Sequence, residues 1–187
     1  MKFIGDIHGD YNTYLDIISD GKASIQLGDM GFDYSPIYHI DSQHKFIGGN
    51  HENYDVLKYN PPASYLGDFG IYNEIGYVRG AYSIDKSSRL IGYDWWPNEE
   101  LNYEEVNHCL DYFSSHKPNI MVSHDCPQFV VNTLYGLESS NTRNLLSIIH
   151  SMVQPKIWIF GHHHRTIDVT MNGTRFICVD INKHVEI

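Results

Sequence analysis

The sequence predicts a layered α/β fold with metal-competent side chains collected at one edge of its sheets. Three observations support this: short apolar runs recur along the chain, helical patterns lie between them, and polar residues follow several of the runs. Strands that alternate with helices are typical of α/β folds. In open α/β sheets, ligands bind outside the carboxyl ends of the strands. The fold class and the position of the site are therefore predicted together.

Several apolar runs bounded by turn residues predict short, buried strands, because they do not alternate between apolar and polar positions. In chain order these runs are Lys2–Gly5, Ser24–Leu27, Lys45–Ile47, Asn119–Ser123 and Lys156–Phe160. Further on, Ile167–Met171 and Thr174–Val179 flank Asn172-Gly173. An Asn-Gly pair between two such runs is a strong hairpin signal. A hairpin is therefore predicted near the carboxyl end.

Helical patterns separate the predicted strands. The predicted helices are Tyr11–Ser19, Glu99–His116 and Glu138–Met152. Asn98 is expected to cap the second helix, with Glu99 and Glu100 in its first turn, where negative charge is favourable. The chain has no internal repeat, low-complexity tract or linker. Residues 1–187 are therefore predicted to form a single domain.

The composition is that of a globular protein, with 42% hydrophobic and 19% charged residues. No run approaches the roughly 20 apolar residues of a membrane-spanning helix, and Asp6 stands where a signal peptide would be apolar. A cytoplasmic protein without membrane association is expected. Its cysteines, Cys109, Cys126 and Cys178, lack metal or redox spacing and are predicted to be buried, reduced thiols.

The formal net charge of -10 argues against binding to long nucleic acid, since phosphate contacts dominate that affinity. Two bound divalent cations would add about +4 and leave the protein acidic. The charge does not exclude a small or short anionic substrate. The oligomeric state is not predicted by the sequence.

Metal-competent residues follow five of the predicted strands. The motifs are Asp6-x-His8, Gly28-Asp29, Gly49-Asn50-His51-Glu52, Ser123-His124 and Gly161-His162-His163-His164. Each alone has a simpler interpretation: a turn with a surface histidine, a plain turn, a helix cap or a solvated loop. Their combination at five strand ends instead favours one metal centre. Imidazole and oxygen ligands without thiolate suit manganese, iron or zinc.

These motifs, from residue 6 to residue 164, resemble the signature of the calcineurin-like metallophosphoesterases. The resemblance implies a four-layer α-β-β-α sandwich with two divalent metal ions, Mn²⁺ first among them and Fe or Zn²⁺ as alternatives. It assigns Asp6, His8 and His164 to one ion. Asn50, His124 and His162 are assigned to the other, and Asp29 bridges both. A hydroxide between the ions would attack the phosphate ester, as expected of a two-metal site.

The resemblance also makes His51 the catalytic histidine, which protonates the leaving oxygen or stabilises the phosphoryl charge. The simpler interpretation is a core histidine satisfied by Glu52. His163 is expected to point away from the ions, as a packing residue. Asp33 is a candidate partner for His51.

The motifs depart from the serine/threonine protein phosphatase and dinucleoside-tetraphosphatase branch that the opening motif resembles. That branch has arginines after its second motif and before Gly-Asn-His, whereas this chain has Met30-Gly31-Phe32-Asp33 and Gly48. Both arginines would bind phosphate. The segment Phe46–Glu52 is instead similar to the RNA lariat debranching enzymes, which cut phosphodiesters.

Residues 79–100 resemble a block in small phage and bacterial metallophosphoesterases. Arg79 and Arg89 are candidate phosphate contacts, and Trp95 and Trp96 are candidates for stacking on a nucleobase, with ordinary packing as the alternative. The leading hypothesis is a metal-dependent phosphoesterase acting on a nucleotide or nucleic-acid phosphodiester. The alternatives are a phosphomonoesterase, protein phosphatase or dinucleoside-polyphosphate hydrolase, and a non-catalytic metal-binding scaffold or regulator.

Overall fold

The computed structural model describes residues 1–187, which form ten strands and five α-helices. The strands are β1 Lys2–Ile4, β2 Ser24–Gln26, β3 His44–Phe46, β4 Phe69–Tyr72, β5 Ile75–Val78, β6 Ile120–Ser123, β7 Ile157–Phe160, β8 Ile167–Met171, β9 Thr174–Cys178 and β10 His184–Glu186. The helices are α1 Tyr11–Ile18, α2 Tyr54–Tyr59, α3 Tyr103–Ser115, α4 Gln128–Leu134 and α5 Asn141–Val153.

The strands form two sheets, each with a parallel centre. The first sheet has the order β10-β1-β2-β3, in which only β10 is antiparallel to its neighbour. The second has the order β4-β5-β6-β7-β9-β8, with antiparallel strands at both edges. Because the central strands of each sheet run the same way, their carboxyl ends lie along one edge of that sheet.

Alternation along the strands produces the layers, because successive side chains point to opposite faces of a sheet. Phe3 of β1 packs between the sheets with Val122 and Ile159 of the second sheet. Its neighbour Ile4 points the other way and packs with Tyr14 of α1. The two faces of β1 thus contact different layers. One face contributes to the apolar layer between the sheets, and the other packs against the helix layer outside the first sheet.

The outer face of the second sheet is covered in the same way. Met121, the neighbour of Val122, packs in a cluster with Phe113 of α3, Val131 of α4 and Leu146 of α5. The molecule is thus a four-layer α-β-β-α sandwich, and the predicted fold class is confirmed. That residues 1–187 form one domain stays a prediction.

The five predicted internal strands and the carboxyl-terminal hairpin are all present, with ends within one residue of the predicted ones. The sequence did not reveal β4, β5, β10, α2 or α4. The missed helices have six and seven residues, which is too short for a helical period to stand out.

The start of α3 differs from the prediction. The helix begins at Tyr103, and its cap is Asn102, not Asn98. The Asn102 side chain accepts hydrogen bonds from the first turn, and the Glu105 carboxylate accepts the backbone N–H of Asn102 in return. This reciprocal capping box stops the helix there, while Asn98 lies in a separate 3₁₀ turn, Pro97–Glu99. Helix α5 likewise begins at Asn141, after the cap Ser140.

The three cysteines are buried and unpaired, as predicted. Burial raises the pKa of Cys109 to about 12, which keeps this thiol protonated and unreactive. None of the helices is both long and apolar enough to cross a membrane.

Trp158 of β7 is the largest fully buried side chain, and its indole N–H donates to Ser123 Oγ at 2.7 Å. We expect Trp158→Ala to lower the free energy of unfolding by about 3–5 kcal/mol, because it leaves a cavity in the core. Urea denaturation measures this. The control Ile148→Ala, on the exposed side of α5, should change stability by about 0.5 kcal/mol or less. Equal losses for both variants would contradict the assignment of Trp158 to the core.

Candidate metal centre

The carboxyl ends of five parallel strands bring the predicted ligands together. Strands β1, β2 and β3 of the first sheet and β6 and β7 of the second each lead into one ligand-bearing loop. The loop residues concerned are Asp6, His8, Asp29, Asn50, His51, His124, His162 and His164. Both sheets therefore contribute to one site at their shared edge.

The first group of ligand atoms comes from Asp6, His8 and His164. Nε2 of His164 lies 2.9 Å from Oδ2 of Asp6, and Nε2 of His8 lies 3.1 Å from Nε2 of His164. Oδ1 of Asp6 accepts the backbone N–H of His162 at 2.9 Å, which leaves Oδ2 facing the histidines. Three ligand atoms thus converge on one point, as a metal ion requires.

The second group is centred on the fully buried His124. Its Nδ1–H donates to the Leu27 carbonyl at 2.8 Å, so Nε2 faces Oδ1 of Asn50 at 3.2 Å. A backbone acceptor on the other ring nitrogen is the usual way in which a metal-binding histidine is oriented. The ligand atom of His162 joins His124 and Asp29 within the same small volume.

Asp29 connects the two groups. Its Oδ2 lies 3.6 Å from Nε2 of His8, and its Oδ1 lies 3.3 Å from Nε2 of His124. The two oxygens of one carboxylate therefore face different groups of ligands. The backbone of Asp29 has a φ of 59°, a left-handed conformation that is uncommon for residues other than glycine. The uncommon backbone conformation thus occurs at the residue whose side chain faces both groups of ligands.

The Asn50 amide is oriented by a buried relay. Its Nδ2 donates to Ser83 Oγ at 3.1 Å, and Ser83 Oγ donates to Oε2 of Glu99 at 2.6 Å. The Ser83 backbone N–H donates to Oε1 of the same carboxylate at 2.9 Å. Because Nδ2 is engaged in this way, Oδ1 of Asn50 is left for the metal side. The sequence contains no local signal for this relay, since its members lie far apart along the chain.

The space around the ligands requires glycine at Gly49. A Cβ atom there would lie 2.2 Å from Oδ1 of Asp29 and 2.7 Å from Nε2 of His124. Any side chain at this position would occupy the place where the two groups meet. The glycine before Asn50 therefore belongs to the architecture of the site.

The electrostatics of the site suit divalent cations. Burial alone would raise the pKa of Asp29, yet neighbouring His124 lowers it to about 2. Burial lowers the pKa of His124, but Asp29 and Asp6 raise it to about 10. Burial would likewise raise the pKa of Asp6, but its hydrogen bonds with His164 and His8 lower it. Asp29 and Asp6 thus remain ionised and need positive charge beside them, which protonated histidine supplies here and metal ions would supply in its place. The donor set fits two divalent metal ions.

His51 lies beside both groups. Its backbone N–H donates to Oδ1 of Asp29 at 2.7 Å, and its ring packs edge-on against His8. Nη2 of Arg89 donates to Nε2 of His51 at 2.8 Å. Burial lowers the pKa of His51 and Arg89 adds to this effect, against the raising effect of Asp29. The side chain of His51 lines the open cavity of the site.

Two suggested partners of His51 are engaged elsewhere. The Glu52 carboxylate accepts the Met30 backbone N–H at 2.9 Å and the hydroxyl of Tyr34 at 2.5 Å, so it does not satisfy the imidazole. The Asp33 carboxylate accepts both the backbone N–H and the hydroxyl of Ser35. The imidazole of His51 therefore forms its hydrogen bond with Arg89.

Of the four predicted substrate contacts, the structure brings only Arg89 to the site. Arg79 is buried, pairs with Asp68 and donates to the Asn98 carbonyl at 2.8 Å. Trp96 is a core residue whose indole N–H donates to a carboxylate of α2. Trp95 is partly buried below Lys86 and does not line the cavity that contains His51. Arg79 and Trp96 are thus corrected to structural residues, because burial and their hydrogen bonds keep both away from the site.

The side chain of His163 is directed to Asp125 and Tyr135 and lies outside the two groups that contain Asp29, although it lines the same cavity and forms a further metal-competent group with Asp125 and Cys126. Its Nε2 lies 3.0 Å from Oδ1 of the buried Asp125, and its ring stacks on Tyr135. Asp125 also accepts from Nε of Arg143 at 2.6 Å. The sequence did not single out Arg143, which lies on a predicted helix without any motif.

A cavity of about 370 Å³ opens over these groups. Its walls contain His8, Asp29, Asn50, His51, Tyr82, Ile84, Asp85, Arg89, Leu137, Arg143, His162, His163 and His164. The volume lies within the range of small-molecule sites, about 300–1,000 Å³. Ligand atoms, a histidine and two arginines thus share one open space.

Comparison with known proteins identifies the fold. No protein-family model and no curated protein sequence matches the chain. Phosphopantetheinyl hydrolase (PptH) from Mycobacterium tuberculosis is similar in structure, with a TM-score of 0.58 and 14% identity over 97% of this chain and 89% of that chain. GAP50, the anchor in the inner membrane complex of Plasmodium, has a TM-score of 0.55 and 12% identity over 97% and 72% of the two chains.

A third similar structure, TT1561 of Thermus thermophilus, has a TM-score of 0.52 and 8% identity, and the match covers 97% of this chain and 88% of that one. At these identities the similarities show the fold alone. The fold that they share with this chain is the four-layer α-β-β-α sandwich.

The relay behind Asn50 predicts that Ser83→Ala weakens metal binding. We expect the affinity for Mn²⁺ to fall by roughly 10–100-fold, because loss of a partner that orients a ligand typically has this effect. Isothermal titration calorimetry measures the affinity. The control Ser87→Ala, an exposed serine of the same loop, should leave it unchanged. Unaltered Mn²⁺ affinity in Ser83→Ala would show that the relay does not position Asn50.

The bridging position of Asp29 predicts that Asp29→Asn empties at least one of the two metal positions, because the substitution removes the charge that both share. Elemental analysis after dialysis against MnCl₂ measures the metal content. Asp33→Asn, a nearby exposed carboxylate, serves as the control. Two ions retained per chain in Asp29→Asn would contradict the bridging assignment.

Proposed function

We propose that the protein is a metal-dependent phosphoesterase that hydrolyses phosphate esters at a two-metal centre. The observation that carries this proposal is the position of Asp29, whose two carboxylate oxygens face separate groups of ligand atoms. His51 is attached through its backbone to the same carboxylate. A histidine next to a bridging carboxylate matches the arrangement that the sequence resemblance implies.

The metal ligands in this proposal are those predicted by the motifs. Asp6, His8 and His164 would hold one ion, Asn50, His124 and His162 the other, and Asp29 both. Mixed nitrogen and oxygen donors favour Mn²⁺, with Fe or Zn²⁺ as alternatives. Bound divalent ions would supply an activated water and neutralise the charge of the phosphate.

The residues of the chain then divide the remaining tasks. His51 faces the cavity and would protonate the leaving oxygen or stabilise the phosphoryl charge. Arg89 lies next to it, and its planar guanidinium suits phosphoryl oxygens. The backbone hydrogen bond from His51 to Asp29 would hold the imidazole at a constant distance from the ions.

We propose a nucleotide or short nucleic-acid phosphodiester as the first substrate class. The absence of arginine before Gly49 and after Asp29 supports a diester over a phosphoprotein, and the charge of -10 supports a small substrate over long nucleic acid. A monoesterase is the second candidate, because two arginines in the cavity could neutralise the additional charge of a monoester. A cytoplasmic location stays a prediction.

The similar structures include one protein named a hydrolase and one described as an anchor. A non-catalytic scaffold is therefore a reasonable competing hypothesis. The complete set of predicted ligands together with His51 supports catalysis, since a scaffold has no need to retain them.

The role of His51 predicts that His51→Ala retains its metal and loses activity by roughly 10²–10⁴-fold, the usual contribution of an acid or electrostatic group. Metal content is measured in parallel with turnover. His116→Ala, an exposed histidine at the end of α3, is the control and should behave as wild type. Loss of bound metal in His51→Ala would instead make His51 a ligand or a structural residue.

The substrate class is tested by Mn²⁺-dependent hydrolysis of bis(p-nitrophenyl) phosphate and p-nitrophenyl phosphate, side by side. We expect the diester to be cleaved faster, and both reactions to need His51. Faster cleavage of the monoester would overturn the diester assignment. No turnover of either, with two ions bound, would favour the scaffold.

A further inference from the structure

The cavity next to His51 has an apolar side that the metal chemistry does not use. Tyr82 and Ile84, from the loop after β5, and Leu137, from the loop between α4 and α5, line it. These three side chains face the same space as the ligand residues, yet none belongs to the predicted metal ligands or carries a charge for an anion. They come from separate segments of the chain, so the apolar side is assembled by the fold.

Ile84 is exposed but held in place from both sides. Its preceding neighbour Ser83 is bonded to Asn50 and Glu99. Its following neighbour Asp85 pairs with Arg89 at 2.8 Å, and Arg89 in turn contacts His51. The Ile84 side chain is nevertheless 79% exposed and contributes little to the core. Because Ile84 lines the cavity and is not packed in the core, its side chain is available for contact with a ligand.

Leu137 is held on the other side of the cavity. The Leu137 carbonyl accepts from Gln128 at 3.3 Å, and the next carbonyl, of Glu138, accepts from Nη1 of Arg143 at 2.7 Å. Arg143 is itself bonded to Asp125, next to the ligand His124. Leu137 is 39% exposed. Both apolar contributors are thus connected by short hydrogen-bonded paths to metal ligands.

The same cavity contains positive charge for a phosphate group. Arg89 and Arg143 both line it. Nε and Nη1 of Arg143 are engaged by Asp125 and Glu138, whereas its Nη2 makes no hydrogen bond within the protein. A cavity with cationic groups near the metal ligands and an apolar side beside them complements a molecule with an anionic and an apolar end.

We infer that Tyr82, Ile84 and Leu137 form a subsite for the organic group of a small phosphate ester. This inference rests on the proposed function and adds to it the chemical class of the substrate: a small phosphate ester that carries an aromatic or branched apolar group, such as the base of a nucleotide. Occupancy of the subsite orients the ester bond toward His51. The volume of about 370 Å³ accommodates a phosphate with one such group, not an extended polymer.

Binding of two unreactive phosphonates tests the subsite separately from catalysis. Phenylphosphonate and methylphosphonate carry the same type of anionic group and differ in the apolar substituent. We expect the Mn²⁺-loaded protein to bind phenylphosphonate about tenfold more tightly in calorimetric titrations, since burial of one ring contributes on the order of this factor. In the double variant Ile84→Ser/Leu137→Ser the ratio of the two dissociation constants should fall to about three or less, because only Tyr82 of the three subsite residues remains.

The matched control is Ile91→Ser, which replaces an isoleucine of the same loop that is 72% exposed and does not line the cavity. It should retain the wild-type ratio. Because all the substituted residues are exposed to solvent, circular dichroism and Mn²⁺ binding should be unchanged in each variant. Equal affinity of wild type for the two phosphonates, or an unchanged ratio in the double variant, would overturn the subsite.

The outcome is distinguishable from failure of the proposed function. A protein that binds phenylphosphonate preferentially through Ile84 and Leu137 but hydrolyses no ester has the subsite without the activity. A protein that hydrolyses an aryl phosphate ester with the same kcat/KM in wild type and in the double variant has the activity without the subsite.

Discussion

The Asp29 carboxylate is the group on which the rest of the site depends. One of its oxygens faces His8 and the other faces His124, and the backbone of His51 donates to it as well. These partners come from loops after strands of both sheets, so the carboxylate can serve them only if the sheets pack with their carboxyl-terminal edges aligned. The left-handed backbone at Asp29 and the bare space at Gly49 are local consequences of that requirement. The four-layer packing therefore determines the distance between the two groups of ligands.

A layer of buried hydrogen bonds orients the ligands from behind. The Leu27 carbonyl holds His124, the Ser83–Glu99 pair holds Asn50, and a backbone N–H holds Asp6. Each bond uses the atom of the ligand that does not face the site. Since a buried polar group without a partner is costly, the bonds that satisfy these groups also select one orientation of each ligand. The same hydrogen bonds thus satisfy the buried polar groups and hold the ligands in position before a metal ion binds.

The sequence predicts much of this arrangement because the ligands are local to strand ends. A motif that directly follows a buried run reaches the sheet edge whatever the remaining packing, so Asp6, Asn50 and His162 could be placed without coordinates. Contacts between distant segments have no such signal, which is why the relay through Ser83 and the role of Arg143 emerge only from the structure. The sequence suggests Arg79 and Trp96 as substrate contacts only through their residue types and the resemblance of their segment. Their burial depends on the packing of that segment against α2, which no local pattern encodes.

The contact between Arg89 and His51 connects substrate binding with the proposed chemistry. A guanidinium can only donate, so Nε2 of His51 must accept, and the proton of the neutral imidazole lies on Nδ1. For His51 to protonate a leaving oxygen from Nε2, the hydrogen bond from Arg89 must first be released and Nε2 must take up a proton. A phosphoryl oxygen offers Arg89 a charged acceptor in exchange, and Asp85 keeps the guanidinium nearby during the exchange. Arrival of the phosphate and release of His51 are therefore coupled in one exchange of hydrogen bonds. Because Ile84 lies directly next to Asp85, an apolar group bound against it would act on the same segment.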